Sequence, residues 1–185
     1  MQVAVYSGSF DPLHKGHLGI LRRLVELYDA VYMVVSPRNP LKEEGKALNA
    51  QQRLQAARQA VARYPELSGK VTVDDIEFSL PQPSYSINTL DALKAREPGN
   101  CFTLAVGADN LAGIRRWKDY RRILLEYGLV VFPRRGTELQ EAMQDLLEED
   151  SAYRILPMQE YLADVSSTQL RDAIVRGEDI SELLM

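Results

Sequence analysis

Along the whole chain, short apolar runs alternate with longer stretches whose apolar residues return every three or four positions, with turn residues between them. Gln2 to Tyr6, Ala30 to Val35, Val71 to Phe78, Cys101 to Val106 and Leu129 to Phe132 read as strands, and Arg154 to Pro157 as a short last one. Helical spacing covers Leu18 to Tyr28, Gln51 to Tyr64, a segment from Ser84 to about Arg96, and Asn110 to Ile114. It returns in a stretch completed by Ile123 to Leu125, in Glu138 to Asp150, and from Val165 to about Gly177. Asn49 is placed to cap the second of these helices, and Ser166 with Gln169 forms a capping box for the last. Prolines in Ser36-Pro37-Arg38-Asn39-Pro40 and Leu80-Pro81-Gln82-Pro83 stop regular structure after the second and third strands. Strand and helix taking turns predict an α/β fold, a Rossmann-like, doubly wound, mostly parallel sheet flanked by helices.

The turn between the first strand and the first helix holds both histidines, in Gly8-Ser9-Phe10-Asp11-Pro12-Leu13-His14-Lys15-Gly16-His17. Gly8 lets backbone approach a ligand, Asp11-Pro12 marks a turn, and Gly16 leaves room where the helix begins. A helix N-terminus presents unpaired N–H groups and partial positive charge, so it attracts phosphate. His14 and His17 stand at that mouth as donors to a polyphosphate. The competing reading makes one of them a capping or packing residue. A His-x-x-His metal site lacks an acidic or Cys partner nearby, and Ser7, His14 and Asp11 are too close on one turn to form a hydrolase relay. Neither the Walker loop nor the dinucleotide fingerprint is present.

Other candidates sit at strand ends. With the sheet reversing between the first and fourth strands, Gly107-Ala108-Asp109 faces the histidine loop across one crevice. Asp109 then either accepts from ribose hydroxyls or caps the helix at Asn110. Lys42, on the loop after the second strand, is a candidate phosphate contact. Ser84 to Leu90 puts hydroxyl groups and Tyr85 at a helix start, where they cap the helix or cover a ring. Trp117, the single Trp, is core or stacking platform, and its basic neighbours Arg115, Arg116 and Lys118 favour an exposed edge. Arg134 lies in a basic turn after the fifth strand. Arg171 places positive charge in the first turns of a helix, where an anion would give it a purpose.

Composition narrows the partners. With 45% hydrophobic residues in 185, the chain can bury a core, and no linker divides it, so residues 1–185 read as one domain. A net charge of −4 argues against a nucleic-acid partner, and the longest apolar runs, Val31 to Val35 and Gly128 to Phe132, are too short to span a membrane. One Cys forbids an internal disulfide and agrees with a reducing, cytoplasmic setting.

The ten-residue histidine segment resembles the signature of the His-x-Gly-His nucleotidyltransferase superfamily. Three later segments bring the resemblance to the bacterial nicotinate-nucleotide adenylyltransferases: Ser84-Tyr85-Ser86-Ile87-Asn88-Thr89-Leu90, Gly107-Ala108-Asp109-Asn110-Leu111 with Trp117 downstream, and Val165-Ser166-Ser167-Thr168 ending in Arg171. The family departs from this chain at Pro40-Leu41-Lys42, where it often has Pro-His-Lys or Pro-His-Arg, and in running on past the final Leu-Leu. The resemblance implies transfer of AMP from ATP to nicotinate mononucleotide, with Mg²⁺ travelling with ATP and no protein-held metal. It implies that His14, His17 and Arg171 act on the phosphates, with Ser167 and Thr168 gripping the outer ones. Gly8, Ser9, Phe10 and Gly16 would line the ATP site, and Gly107 and Asp109 would hold the ribose. Trp117 would stack on the pyridine ring with Tyr85 and Ser86 near its carboxylate, and Thr89, Lys42 and Arg134 would complete the acceptor site. The C-terminal helical part, about 165–185, would close the ATP site. Adenylylation of nicotinamide mononucleotide or phosphopantetheine, and a nucleotide-binding regulator without catalysis, remain alternatives, and homo-oligomerisation is open.

Overall fold

The strands are β1 (Gln2–Gly8), β2 (Ala30–Val35), β3 (Val71–Asp74), β4 (Cys101–Gly107), β5 (Leu129–Phe132) and β6 (Ile155–Pro157). They form one sheet in the order β3-β2-β1-β4-β5-β6, every neighbouring pair parallel. The computed structural model describes residues 1–37, 49–134, 136–159, 165 and 167–185. Val3 of β1 sits in register with Ala30 on one side and Phe102 on the other, so the winding reverses between β1 and β4 as expected.

Alternation along the strands divides the core in two. Val3 and Val5, Phe102, Leu104 and Val106, and Leu129 and Val131 face one side. There they meet α3 (Ser86–Arg96), α4 (Ala108–Ala112), α5 (Tyr120–Arg122, continuing into a π-turn at Ile123–Tyr127) and α6 (Leu139–Glu149). Ala4, Val31, Met33, Val35 and Val130 face the other side, against Leu18, Leu21 and Leu24 of α1 (Lys15–Leu27) and Leu54, Ala57 and Val61 of α2 (Ala50–Ala62). α7 (Ser167–Val175) buries Leu170 and Ala173. Among the described residues no helix is long and apolar enough to cross a membrane.

Three expectations change in detail. The third strand stops at Asp74 instead of reaching Phe78, because the Asp74 carboxylate accepts from Ile76 N at 2.9 Å and turns the chain into a 3₁₀ turn at Ile76–Ser79. The first helix starts at Lys15, ahead of Leu18, because His14 caps it. α4 starts at Ala108 with Gly107 as its N-cap, which places Asp109 inside the first turn rather than at the cap. Asn49 does cap α2, exchanging side-chain bonds with Gln52 at 2.9 and 3.0 Å. The capping box expected at Ser166 lies outside the described residues.

Candidate active site

The histidine loop is built from both ends. Phe10 takes a left-handed backbone, φ 48°, uncommon for a residue with a side chain. This turn buries its ring edge-on against Tyr6 and His17, with centroids 5.3 and 5.2 Å away. The same ring lies 3.3 Å from where a Cβ on Gly8 would stand, so a larger residue there would press on the Phe10 ring. At the helix end, Gly16 N donates to His14 Nδ1 and His14 N donates to His17 Nδ1, both at 3.2 Å. A capping box thus forms out of two imidazoles. Capping and ligand binding therefore turn out not to be rival readings.

Those two bonds fix the protonation. Each Nδ1 accepts, so a neutral ring must carry its proton on Nε2, as a donor. The rings lie 3.7 Å apart at 31°. Burial, and behind it the charge of Arg134, holds His14 down at about 4. Burial first, then His14 and Arg134, holds His17 well below the ordinary imidazole value. At neutral pH the pair is two uncharged N–H donors side by side.

The segment 167–185 reaches back to this loop and holds it residue by residue. Arg171 Nη1 donates to Asp11 O at 2.9 Å, Ser167 Oγ to Pro12 O at 3.2 Å, and Met185 N to Leu13 O at 3.4 Å. Leu184 forms an antiparallel bridge with His14. Arg171 Nη2 also bonds Thr168 Oγ1, at 3.0 Å. From below, Arg53, only 4% exposed, donates to Ser9 O at 2.6 Å, Ser36 O at 2.8 Å and Pro37 O at 3.0 Å, joining the loop to the end of β2.

Between the carboxyl ends of β1 and β4 opens a cleft of about 650 Å³. Gly8, Ser9, Phe10, His14, Gly16 and His17 line one side of it, and Gly107, Asn110, Trp117, Ser86 and Arg134 the other, with Ser167 at the edge. Arg134 Nε lies 3.4 Å from the Asp109 carboxylate, and a Cβ on Gly107 would run into both side chains.

This geometry can be set beside known proteins. Residues 5–173 match the cytidylyltransferase-like family. The chain is 37% identical over 186 residues to a probable nicotinate-nucleotide adenylyltransferase of Flavobacterium johnsoniae, covering 100% of this chain and 92% of that one. It is 35% identical over 190 residues to the corresponding protein of Bacteroides fragilis, covering 99% and 87%. The chain belongs to the cytidylyltransferase-like family, among its nicotinate-nucleotide adenylyltransferases. A solved Plasmodium falciparum nicotinic acid mononucleotide adenylyltransferase complexed with NaAD superimposes with a TM-score of 0.81 at 19% identity, covering 98% of this chain and 87% of that one. At that identity the likeness is one of fold.

For a member of the adenylyltransferase family, the sequence locates much of the cleft wall but not all of it. Tyr85 stays off the cleft lining, 43% exposed, with Lys118 Nζ 5.1 Å from its ring. Thr89 was expected at the acceptor site; it is buried at 1% exposure, and its hydroxyl donates to Glu77. Asp109, Thr168 and Arg171 flank the cleft without lining it. Lys42 lies outside the described residues. Tyr6, Ser7, Asn110 and Gln169 line the cleft and were not among the expected site residues. Tyr6 had a signal, since it shares a strand face with Gly8.

Proposed function

We propose that this enzyme binds ATP with its triphosphate across the His14–His17 loop and transfers AMP to the phosphate of nicotinate mononucleotide. An oxygen of the mononucleotide phosphate forms the new bond to the α-phosphorus of ATP. The bond from that phosphorus to the bridging oxygen breaks, and pyrophosphate leaves, giving deamido-NAD. The attacking phosphate is anionic at neutral pH, so no general base is required. Catalysis is then positioning plus stabilisation of charge on the equatorial oxygens.

The observation that carries this reading is the pair of stacked imidazoles with both Nδ1 atoms engaged by backbone, which leaves Nε2–H donors at a helix N-terminus. Gly8, Ser9, Phe10 and Gly16 let the phosphates approach the backbone. Arg171, with Ser167 and Thr168, holds the outer phosphates, and Gly107 and Asp109 hold the adenosine ribose. Trp117 stacks on the pyridine ring, and Ser86 stands near its carboxylate. Arg134, ion-paired with Asp109, and Lys42 supply positive charge to the acceptor. Among the described residues no three His, Cys, Asp or Glu gather to hold a metal, and the imidazoles offer N–H rather than lone pairs. In this reading Mg²⁺ would come with ATP, held by phosphate oxygens and water, where it would offset phosphate charge.

The test is pyrophosphate release from Mg-ATP with nicotinate mononucleotide, nicotinamide mononucleotide and phosphopantetheine in parallel. Strong preference for the nicotinate form is expected. Preference for another acceptor would reassign the ring site, and no release with any would make the chain a nucleotide binder.

A further inference from the structure

Glu77 is a buried carboxyl, 3% exposed, that the reaction outlined above does not use. Its Oε1 accepts from Ser7 Oγ and from Thr89 Oγ1, each at 2.9 Å. Among the described residues it has no ion-pair partner. Burying a carboxyl without a cation is costly, and two hydroxyl donors offset only part of that cost. Its two partners belong to the two halves of the cleft. Ser7 precedes Gly8 at the end of β1, lines the cleft, and lies 3.3 Å from Ser36 Oγ after β2. Thr89 stands one helical turn after Ser86, which lines the cleft on the other side.

The two partners are not equally anchored. Ser7 is fixed by the sheet, where it pairs with Val34 while Gly8 pairs with Val35. The start of α3 follows the loop Leu80-Pro81-Gln82-Pro83, and its N-cap, Tyr85, makes no side-chain capping bond. The Glu77–Thr89 bond is thus a side-chain tether between that first turn and the sheet. We infer that Glu77 is a positioning residue for the acceptor, acting through Thr89 to hold the Ser86 end of α3 at a fixed separation from the phosphate loop. This rests on the reading of Ser86 and Trp117 as the pyridine site.

Loosening this tether frees the Ser86 end of α3, while Leu90 and Leu93 keep the helix on the sheet and β1 stays in place, so binding of the mononucleotide should suffer while ATP binding does not. The test first measures wild-type pyrophosphate release with nicotinate mononucleotide; its absence would refute the acceptor assignment itself, not the tether. With the wild type active, Thr89→Val should raise KM for the mononucleotide about tenfold, the worth of one buried hydrogen bond, with KM for ATP within about twofold. Glu77→Gln keeps an acceptor oxygen and should stay within about threefold of wild type, whereas Glu77→Leu should match or exceed the Thr89→Val effect. Titration calorimetry with the mononucleotide should reproduce the split as a loss of affinity. Both KM values unchanged in Thr89→Val, or both raised in parallel with a lowered melting temperature, would overturn the inference and leave Glu77 a packing residue. Should Glu77→Leu fail to fold, Thr89→Val alone decides.

Discussion

The two imidazoles serve the backbone with one nitrogen and the cleft with the other. That division makes them donors at every pH where the fold is intact, with no protonation step to wait for. His17→Ala removes a donor whose main use comes as charge develops on the phosphates. Turnover should fall by about 10²–10³-fold with KM for ATP changed far less, read from steady-state kinetics against a circular dichroism spectrum like the wild type's. Wild-type-like turnover would remove His17 from the chemistry. The motif made His14, His17, Gly8 and Gly16 legible because all its parts are local in the sequence. Arg53 and Glu77 were not legible. Each looks like one more polar position in a helix or strand, and each finds its partners at least 12 residues away, through the topology.

At the scale of elements, strand positions and faces could be read because the 2.0 and 3.6 residue periods are local properties. Element ends could not, where a single side-chain bond decides them. Asp74 ends β3 early, and Gly107 rather than Asp109 opens α4. The resemblance put residues 165–185 beside the ATP site, but the bonds that join them to the histidine loop could not be read, because they run from Arg171, Ser167 and Met185 to main-chain carbonyls. That contact makes a prediction about an element. Cutting the chain after Leu183 removes the bridge to His14 and the bond to Leu13, while the sheet and its helices stay. Turnover should drop about tenfold or more, since misplacing a catalytic group by an ångström is that costly, while circular dichroism remains near wild type. Unchanged turnover would show that the loop holds its own shape.

For the molecule as a whole, the buried histidines couple stability to pH. An unfolded histidine titrates near 6.5 and folded His14 near 4, so between those values the unfolded chain binds more protons. Stability must therefore fall as pH drops through that window, by on the order of 3 kcal/mol for this one group. His14→Asn keeps a good helix cap and removes the titration. Its melting temperature, measured from pH 7 to pH 4.5, should decline less steeply than the wild type's, and parallel curves would refute the linkage. The order in which a ribosome makes the chain adds a last consequence. The histidine loop and Arg53, which holds it from below, are made before residues 167–185, whose contacts to the loop arrive last. A nascent chain can wind its sheet while these contacts to the loop are still missing. The last contacts around the phosphate loop would then form only after every strand of the sheet has been made, and a product stopped between β6 and α7 would lack them.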